Sequence, residues 1–402
     1  MDSKIKDIML HAYRETEYYH TLINENNLNI DEYSSTKDLQ HIPCLTKIAL
    51  QKNEDNFLSK RYYTFPWNKT IQVKRVVDSA GYLMKFYWDS NDNNKSLSYL
   101  QDIRHKRYGI TPTMRVCSFY GTRYVGNKLV PHESQVIDYN RQHLAFSYFN
   151  LTDEKIKKII TEIDAFSPVW LSLRPSIALL FADTIKRLQL AVPRSLRYIE
   201  LSGEFLSEAH RSYLQDVFRN VTITYLYSMD ETNAIAFECS HKSLHVLCEN
   251  VFVEIIKEGK SVTEEIGNVQ ITSLTNYAMP LIRYATEDIG ILTNKKCLCG
   301  ERTPVIEILE SHPCKFYVTK NKNKISNCVM ESIIEYTNES MLRTISRFSL
   351  EQVEPDTFNI ELYLKPTYIK WKNSIKQEFL DNVIESRLLQ SKWNFAFKKA
   401  FL

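Results

Sequence analysis

Cys239, His245, Cys297 and Cys299 offer three thiols and one imidazole within one stretch of the chain. Cys297-Leu298-Cys299-Gly300 reads as a tight knuckle, and Cys239 stands six residues before His245 on what read as adjoining strands. A closed set of three sulfurs and one imidazole nitrogen leaves zinc no open coordination position, so its role would be to stabilise rather than to catalyse. Four unrelated reduced side chains are the alternative reading, and His241 is the alternative imidazole. The segment Ala278-Met279-Pro280-Leu281-Ile282-Arg283-Tyr284-Ala285-Thr286-Glu287-Asp288-Ile289-Gly290 combines a Pro turn, a short β-branched strand and one carboxylate before Ile. It looks like a ribose-binding site, because an ionised carboxylate can accept from both hydroxyls of a diol. About fifty residues upstream, Tyr227-Ser228-Met229-Asp230-Glu231 sets an aromatic ring and an acidic pair at the end of a predicted strand.

The elements that would position these residues can be read from periodicity. Thr152 is a plausible N-cap for an amphipathic helix with Ile156, Ile159, Ile160 and Ile163 on one face. A buried strand at 168–173, a helix at 175–190, a strand at 196–201, a helix from Ser207 and a strand at 221–226 follow. This alternation predicts a parallel sheet with helices on its faces and ligands at the carboxyl ends of its strands. Ser202-Gly203-Glu204 and Tyr227 to Glu231 stand at such ends. From 234 to 305 short strands with polar turns, at 246–256, 267–272, 281–284 and 289–292, predict an antiparallel subdomain. Beyond Glu310 a helix is predicted around 331–336, a strand near 358–364 and a helix near 371–387. The expected division is 1–310 and 311–402.

At 402 residues the chain exceeds what one core organises, and 44% hydrophobic with 25% charged residues fits a globular protein. The net charge of +3 is dispersed, which supports neither a nucleic-acid nor a membrane-surface partner. Charges interrupt every apolar run of the N-terminus, so neither a signal peptide nor a membrane helix is expected, and the expected location is cytoplasmic. Eight cysteines are too sparse for a disulfide framework, and Cys44, Cys117, Cys248, Cys314 and Cys328 read as reduced thiols in or near the core. Nine glycines are few enough that each surviving one is informative.

Tyr227 to Glu231 and Arg283 to Asp288 together resemble two signature motifs of the adenylate-forming enzymes, Tyr-Gly-x-Thr-Glu and Arg-Tyr-x-Thr-Gly-Asp, in the branch typified by phenylacetate-CoA ligase. Thr272-Ser273-Leu274-Thr275, Ala278-Met279-Pro280, Glu238-Cys239, Leu244-His245-Val246 and Cys297-Leu298-Cys299-Gly300 match the same branch. The resemblance runs from about 46 to 309. It implies a large N-terminal α/β domain of parallel sheets flanked by helices with a β subdomain, and a small α+β C-terminal lid. It further implies that Asp288 holds ribose and that Glu231 holds the Mg2+ accompanying ATP. Tyr227, Ser228 and the Gly203-Glu204 loop would border adenine, Arg283 would brace the site, and Cys239, His245, Cys297 and Cys299 would hold structural zinc. The implied reaction activates a small, aromatic carboxylic acid with ATP as an acyl-adenylate and passes the acyl group to a thiol such as CoA, a carrier protein or an amine. A homodimer is compatible with it.

The departures are specific. Ser228 and Asp230 replace Gly and Thr, and Glu287 replaces Gly. Where the family has a Ser/Thr/Gly phosphate loop, this chain reads Val76-Val77-Asp78-Ser79-Ala80-Gly81-Tyr82. The hinge position reads Glu310-Ser311-His312-Pro313-Cys314, and the terminal region carries Lys392, Lys398 and Lys399 but no Gly-Lys. Phe119-Tyr120-Gly121-Thr122-Arg123-Tyr124 falls where the branch places its acyl pocket. The alternative function is therefore a degenerate ligase that serves as a binding or scaffold partner, or that performs only acyl transfer.

Overall fold

A computed structural model describes the chain apart from residues 1, 34, 63–69, 78–79, 122–123, 126–127, 130–135, 138–141, 150, 312, 323, 385–390 and 401–402. The residues form two compact units, each assembled from discontinuous segments: 1–76, 84–112 and 225–312 in the first, 77–83, 113–224 and 313–402 in the second.

The first unit is built on an antiparallel sheet. Its strands lie in the order Lys260–Val262, Val251–Lys257, Gly267–Ser273, Tyr284–Thr293, Val305–Glu310, Leu244–Val246 and Asn233–Glu238, and beside the last runs Thr222–Met229 from residue 225 onward. The antiparallel character agrees with the short strands and polar turns of the sequence. Two details differ. The apolar run 246–256 is two strands, because Leu247 to Asn250 turn back on themselves with the Asn250 N–H on the Leu247 carbonyl at 2.8 Å. Leu281 to Arg283 are not a strand; pairing starts at Tyr284 and runs through Thr293. Helices Asp2–Glu15, Glu17–Glu25, Lys47–Lys52 and Ser90–Tyr108 belong to this unit. Its interior holds Tyr19, Phe57, Phe86, Trp88, Phe237 and Tyr284.

In the second unit Val116–Tyr120, His143–Ser147, Trp170–Leu173 and Tyr198–Ser202 are parallel, as the alternation of elements requires. The helix Asp153–Phe166 buries Ile156, Ile159, Ile160 and Ile163, and the Thr152 hydroxyl accepts the Lys155 N–H at 3.1 Å. Full burial of four Ile side chains contributes on the order of 8 kcal/mol of transfer free energy, which far exceeds the cap's contribution of ~1 kcal/mol. Pro175–Leu188 begins with Pro at its first turn, and Glu208–Val217 is capped by the Ser207 hydroxyl. The C-terminal part carries the helices Asn327–Ser340 and Lys372–Ile384 and a three-stranded sheet of Ile345–Glu354, Thr357–Leu364 and Lys392–Lys399.

Candidate active site and metal centre

Tyr227, Ser228, Glu231, Arg283 and Asp288 all belong to the first unit, and its strands bring the tyrosine and the aspartate together. Tyr227 pairs with Ala236 across a hairpin whose register shifts between Tyr227 and Ser228. The strand therefore continues through Met229, and the turn is confined to Asp230 to Thr232. The Tyr227 hydroxyl donates to the Asp288 carboxylate, with both residues buried. Burial, reinforced by the negative charge of Asp288, pushes the Tyr227 phenol far above its usual range, so it remains a donor. The Asp288 backbone N–H donates to the Thr286 hydroxyl at 3.1 Å, and that hydroxyl donates to the Val269 carbonyl at 3.1 Å. One carboxylate oxygen is thus held by protein, and lone pairs remain for a diol.

Glu287 occupies the position where the resembling motif has Gly, and its φ of 69° is left-handed. Its carboxylate pairs with the Lys47 ammonium at 2.9 Å. Lys47 is brought there by pairing of its own segment with the Asp288 strand. The Leu45 N–H donates to the Arg283 carbonyl at 3.0 Å, and the Ala285 N–H donates to the Leu45 carbonyl at 2.9 Å. Arg283 is itself a structural clasp, buried at φ 51° with Nε 3.1 Å from the Glu254 carboxylate and Nη1 2.8 Å from the Ile42 carbonyl. Its hydrogen bonds go to protein, which suits bracing rather than ligand contact.

Glu231 is buried, and the Tyr284 hydroxyl donates to it at 3.3 Å. Two cations that the sequence did not single out stand in its field. Lys47 lowers the Glu231 carboxyl, and Lys74 faces Asp230 and Glu231 while its ammonium lies 5.0 Å from the centre of the Trp88 ring. Burial nevertheless dominates and pushes Glu231 up to about 7 from an ordinary 4.5. The folded protein therefore keeps a proton that the unfolded chain has released between those values, and stability falls as pH rises through that window. The shift corresponds to roughly 3 kcal/mol. Urea unfolding of wild type and Glu231→Gln from pH 4.5 to 8 should show the difference between the two closing by that amount toward acid. A difference independent of pH would contradict it.

Gly203 and Glu204 lie in the second unit. Gly203 has the left-handed φ of 82°, and a Cβ there would meet the Arg174 side chain at 3.8 Å, an ordinary contact, so the backbone conformation rather than crowding favours glycine. Glu204 is buried and accepts from the Ser176 N–H and hydroxyl, each at 2.8 Å, so its carboxylate caps the helix Pro175–Leu188. Of the phosphate-loop segment, Asp78 and Ser79 lie outside the described residues, as do Thr122 and Arg123 of the aromatic loop and His312 of the hinge position. Lys398 is paired with Glu361 at 2.8 Å.

The metal-ligand side chains also converge. Cys239 follows the strand Asn233–Glu238, His245 sits opposite Phe237 on the neighbouring strand, and the Cys297 to Gly300 knuckle supplies the other two sulfurs. Their ligand atoms all lie within 4.8 Å of one another. Cys239 and Cys297 Sγ are 3.8 Å apart, the separation that two Zn–S bonds of ~2.3 Å subtend at a tetrahedral angle. Cys299 Sγ is 3.2 Å from His245 Nε2, and His245 Nδ1 is 3.1 Å from the Thr303 hydroxyl, which frees Nε2 to face the sulfurs. The Cys299 N–H and the Ser243 hydroxyl lower the Cys297 thiol to about 6. The remaining cysteines are free thiols, as expected.

Among the described residues, no helix is long and apolar enough to cross a membrane. No protein-family model matches the chain. In sequence it is 22% identical over 310 residues to a phenylacetate-coenzyme A ligase of Thermus thermophilus, covering 74% of this chain and 66% of that protein. It is 23% identical over 299 residues to a phenylacetate-coenzyme A ligase of Escherichia coli, covering 71% and 65%. The matched region thus spans just under two thirds of these relatives. In structure the chain superimposes on a 2-hydroxyisobutyryl-CoA ligase solved with 2-HIB-AMP and CoA, with a TM-score of 0.63 and 14% identity over 100% of this chain and 86% of that one. The same ligase in an open conformation gives a TM-score of 0.61. The chain therefore has the fold of the adenylate-forming CoA ligases and is similar in sequence to their phenylacetate-CoA ligase branch.

Proposed function

We propose that this chain is an adenylate-forming ligase that activates a small carboxylic acid, an aromatic one by its sequence relatives, with ATP and transfers the acyl group to a thiol or amine. The observation that carries the reading is the buried Tyr227 hydroxyl on the Asp288 carboxylate, a seat for a ribose diol. In this reading Asp288 accepts from the ribose hydroxyls, and the ring of Tyr227 with the backbone of Ser228 borders adenine. Glu231 holds Mg2+, which when bound offsets the repulsion between the acid's carboxylate and the triphosphate. Arg283 fixes the backbone that presents Asp288. The acid attacks the α-phosphate and expels pyrophosphate, and a thiol such as CoA or a carrier protein, or an amine, then displaces AMP from the acyl-adenylate. Structural zinc in the Cys239, His245, Cys297 and Cys299 cluster would tie the hairpin of the first unit to the knuckle, with a cytoplasmic location keeping the thiols reduced.

A specific feature favours the alternative, a ligase-like protein that binds or scaffolds without adenylating. Gly81, which survives from the phosphate loop, is pinned within the second unit: a Cβ there would lie 1.9 Å from the Phe348 carbonyl oxygen. The Phe348 N–H donates to the Gly81 carbonyl at 2.9 Å, and Arg347 Nε donates to the Ala80 carbonyl at 3.0 Å. Acid-dependent exchange of labelled pyrophosphate into ATP separates the readings. We expect exchange with at least one member of an aryl-acid panel and loss of at least about 100-fold in Glu231→Ala. Silence across the panel, with no calorimetric ATP binding, would establish the alternative.

A further inference from the structure

The parallel strands of the second unit lie in the order Tyr198–Ser202, Trp170–Leu173, Val116–Tyr120, His143–Ser147. The chain leaves Val116–Tyr120 for one flank and then crosses to the other, so the strand order reverses between Val116–Tyr120 and Trp170–Leu173. In open parallel sheets that reversal opens a crevice at the carboxyl ends of the two strands, where ligands are received. Here the two ends are Tyr120-Gly121 and Leu173-Arg174, and the chain's own helix Asn327–Ser340 reaches both.

The fit is close. A Cβ on Gly121 would lie 1.9 Å from the Ser332 hydroxyl and 2.2 Å from the Tyr148 hydroxyl, so only glycine lets the helix seat there. Ser332 and Tyr148 are hydrogen-bonded to each other at 3.1 Å. At the second strand end, Arg174 Nη1 lies 3.3 Å from the Glu331 carboxylate. The Arg174 side chain is 35% exposed and that of Glu331 is 9% exposed, so the carboxylate is inserted more deeply than the side chain that holds it. Asn327 donates to the other Glu331 oxygen at 2.8 Å. Glu204, the other acid near Arg174, is turned toward Ser176.

We propose that Arg174 is a receptor for the carboxylate of a ligand, and that Glu331 is a resident carboxylate filling that seat until the ligand displaces it. This rests on the reading that the chain takes a carboxylic acid. A guanidinium recognises a free carboxylate and a glutamate side chain by the same charge-assisted hydrogen bonding. A competitor tethered to the same unit acts at high effective concentration, so a free acid binds at a strength reduced by the fraction of molecules in which the seat is vacated. The helix thus sets a threshold for occupancy.

The test uses the full chain without nucleotide and benzoate as the probe, titrated by calorimetry and by ligand-observed NMR. Glu331→Gln keeps the side chain's shape and its acceptor oxygen for Asn327 but removes the charge. It should bind benzoate about tenfold more tightly than wild type, and Arg174→Met in the same background should erase the gain. Glu331→Asp, which retains the charge on a shorter arm, should fall between and serves if the Gln variant is unstable. Equal benzoate affinity in wild type and variants, undetectable binding in all of them included, overturns the proposal. Because no ATP is present, failure of pyrophosphate exchange leaves this result standing, and exchange with unchanged benzoate affinity overturns this proposal alone.

Discussion

Replacing Asp288 by Asn should weaken ATP binding by about 100-fold or more and abolish the preference for a ribose over a deoxyribose nucleotide. The side chain is buried, so its hydrogen bonds form out of competition with bulk water, and each to an ionised acceptor contributes roughly 1.5–3 kcal/mol. Asn offers one carbonyl oxygen, and the Tyr227 hydroxyl already claims an acceptor at this site, so the diol would meet an amide N–H instead of a second acceptor. Calorimetry with ATP and 2′-deoxyATP reads the effect directly. Wild type should discriminate between them by about tenfold or more, and Asp288→Asn should bind both weakly and equally. Tyr227→Phe is the informative companion, since it removes the protein's claim on the carboxylate while leaving the diol's. It should preserve discrimination even where it lowers affinity. Undiminished discrimination in Asp288→Asn would remove Asp288 from the ribose and with it the nucleotide reading of the first unit.

The elements that were legible in the sequence are those whose cause is local. Ile156, Ile159, Ile160 and Ile163 repeat at helical spacing and are all buried, and Thr152 and Ser207 cap the helices that they precede. Asp288 was singled out by residues adjacent to it in sequence, and most of that segment lies on the strand Tyr284–Thr293. What was not legible depends on partners distant in the chain. Leu281 to Arg283 read as a strand by β-branched composition, yet Arg283 adopts φ 51° because Glu254 and the Ile42 carbonyl capture its side chain. Lys47 reaches Glu287 across about 240 residues, and no spacing rule anticipates a cation delivered by a segment that pairs at Leu45. Lys74 is likewise far from Glu231 in sequence. The strand Lys392–Lys399 pairs in parallel with Thr357–Leu364, an arrangement that leaves no hairpin signal between them. Glu287 shows the same limit from the other side. In sequence it is only a departure from the motif's Gly, whereas in the fold it adopts a left-handed backbone and anchors Lys47.

Removing metal from the Cys239, His245, Cys297 and Cys299 cluster should have the largest effect on stability. The knuckle is stitched to its unit weakly: Leu298 is 87% exposed, and the knuckle's own backbone hydrogen bond runs from the Gly300 N–H to the Cys297 carbonyl at 3.1 Å. The surrounding fold adds ties on either side of it, Arg107 to Glu301, with Arg107 also donating to the Phe237 carbonyl, and the Val246 N–H to the Pro304 carbonyl at 2.8 Å. A four-coordinate ion would cross-link Cys239 and His245 of the hairpin to two sulfurs more than fifty residues later, fixing the knuckle to strands that already pair at Leu244–Val246 and Val305–Glu310. Its loss should cost on the order of 4 kcal/mol, which lowers the melting temperature by ~10 °C in a unit of this size. Purified protein should contain one zinc per chain by elemental analysis, and a strong chelator or Cys299→Ser should produce the drop in calorimetry. Cys314→Ser, in the second unit and outside the cluster, should leave metal content unchanged. Stoichiometry below half with every thiol reduced, or a melting temperature indifferent to the chelator, would reduce the cluster to four side chains that happen to face one another.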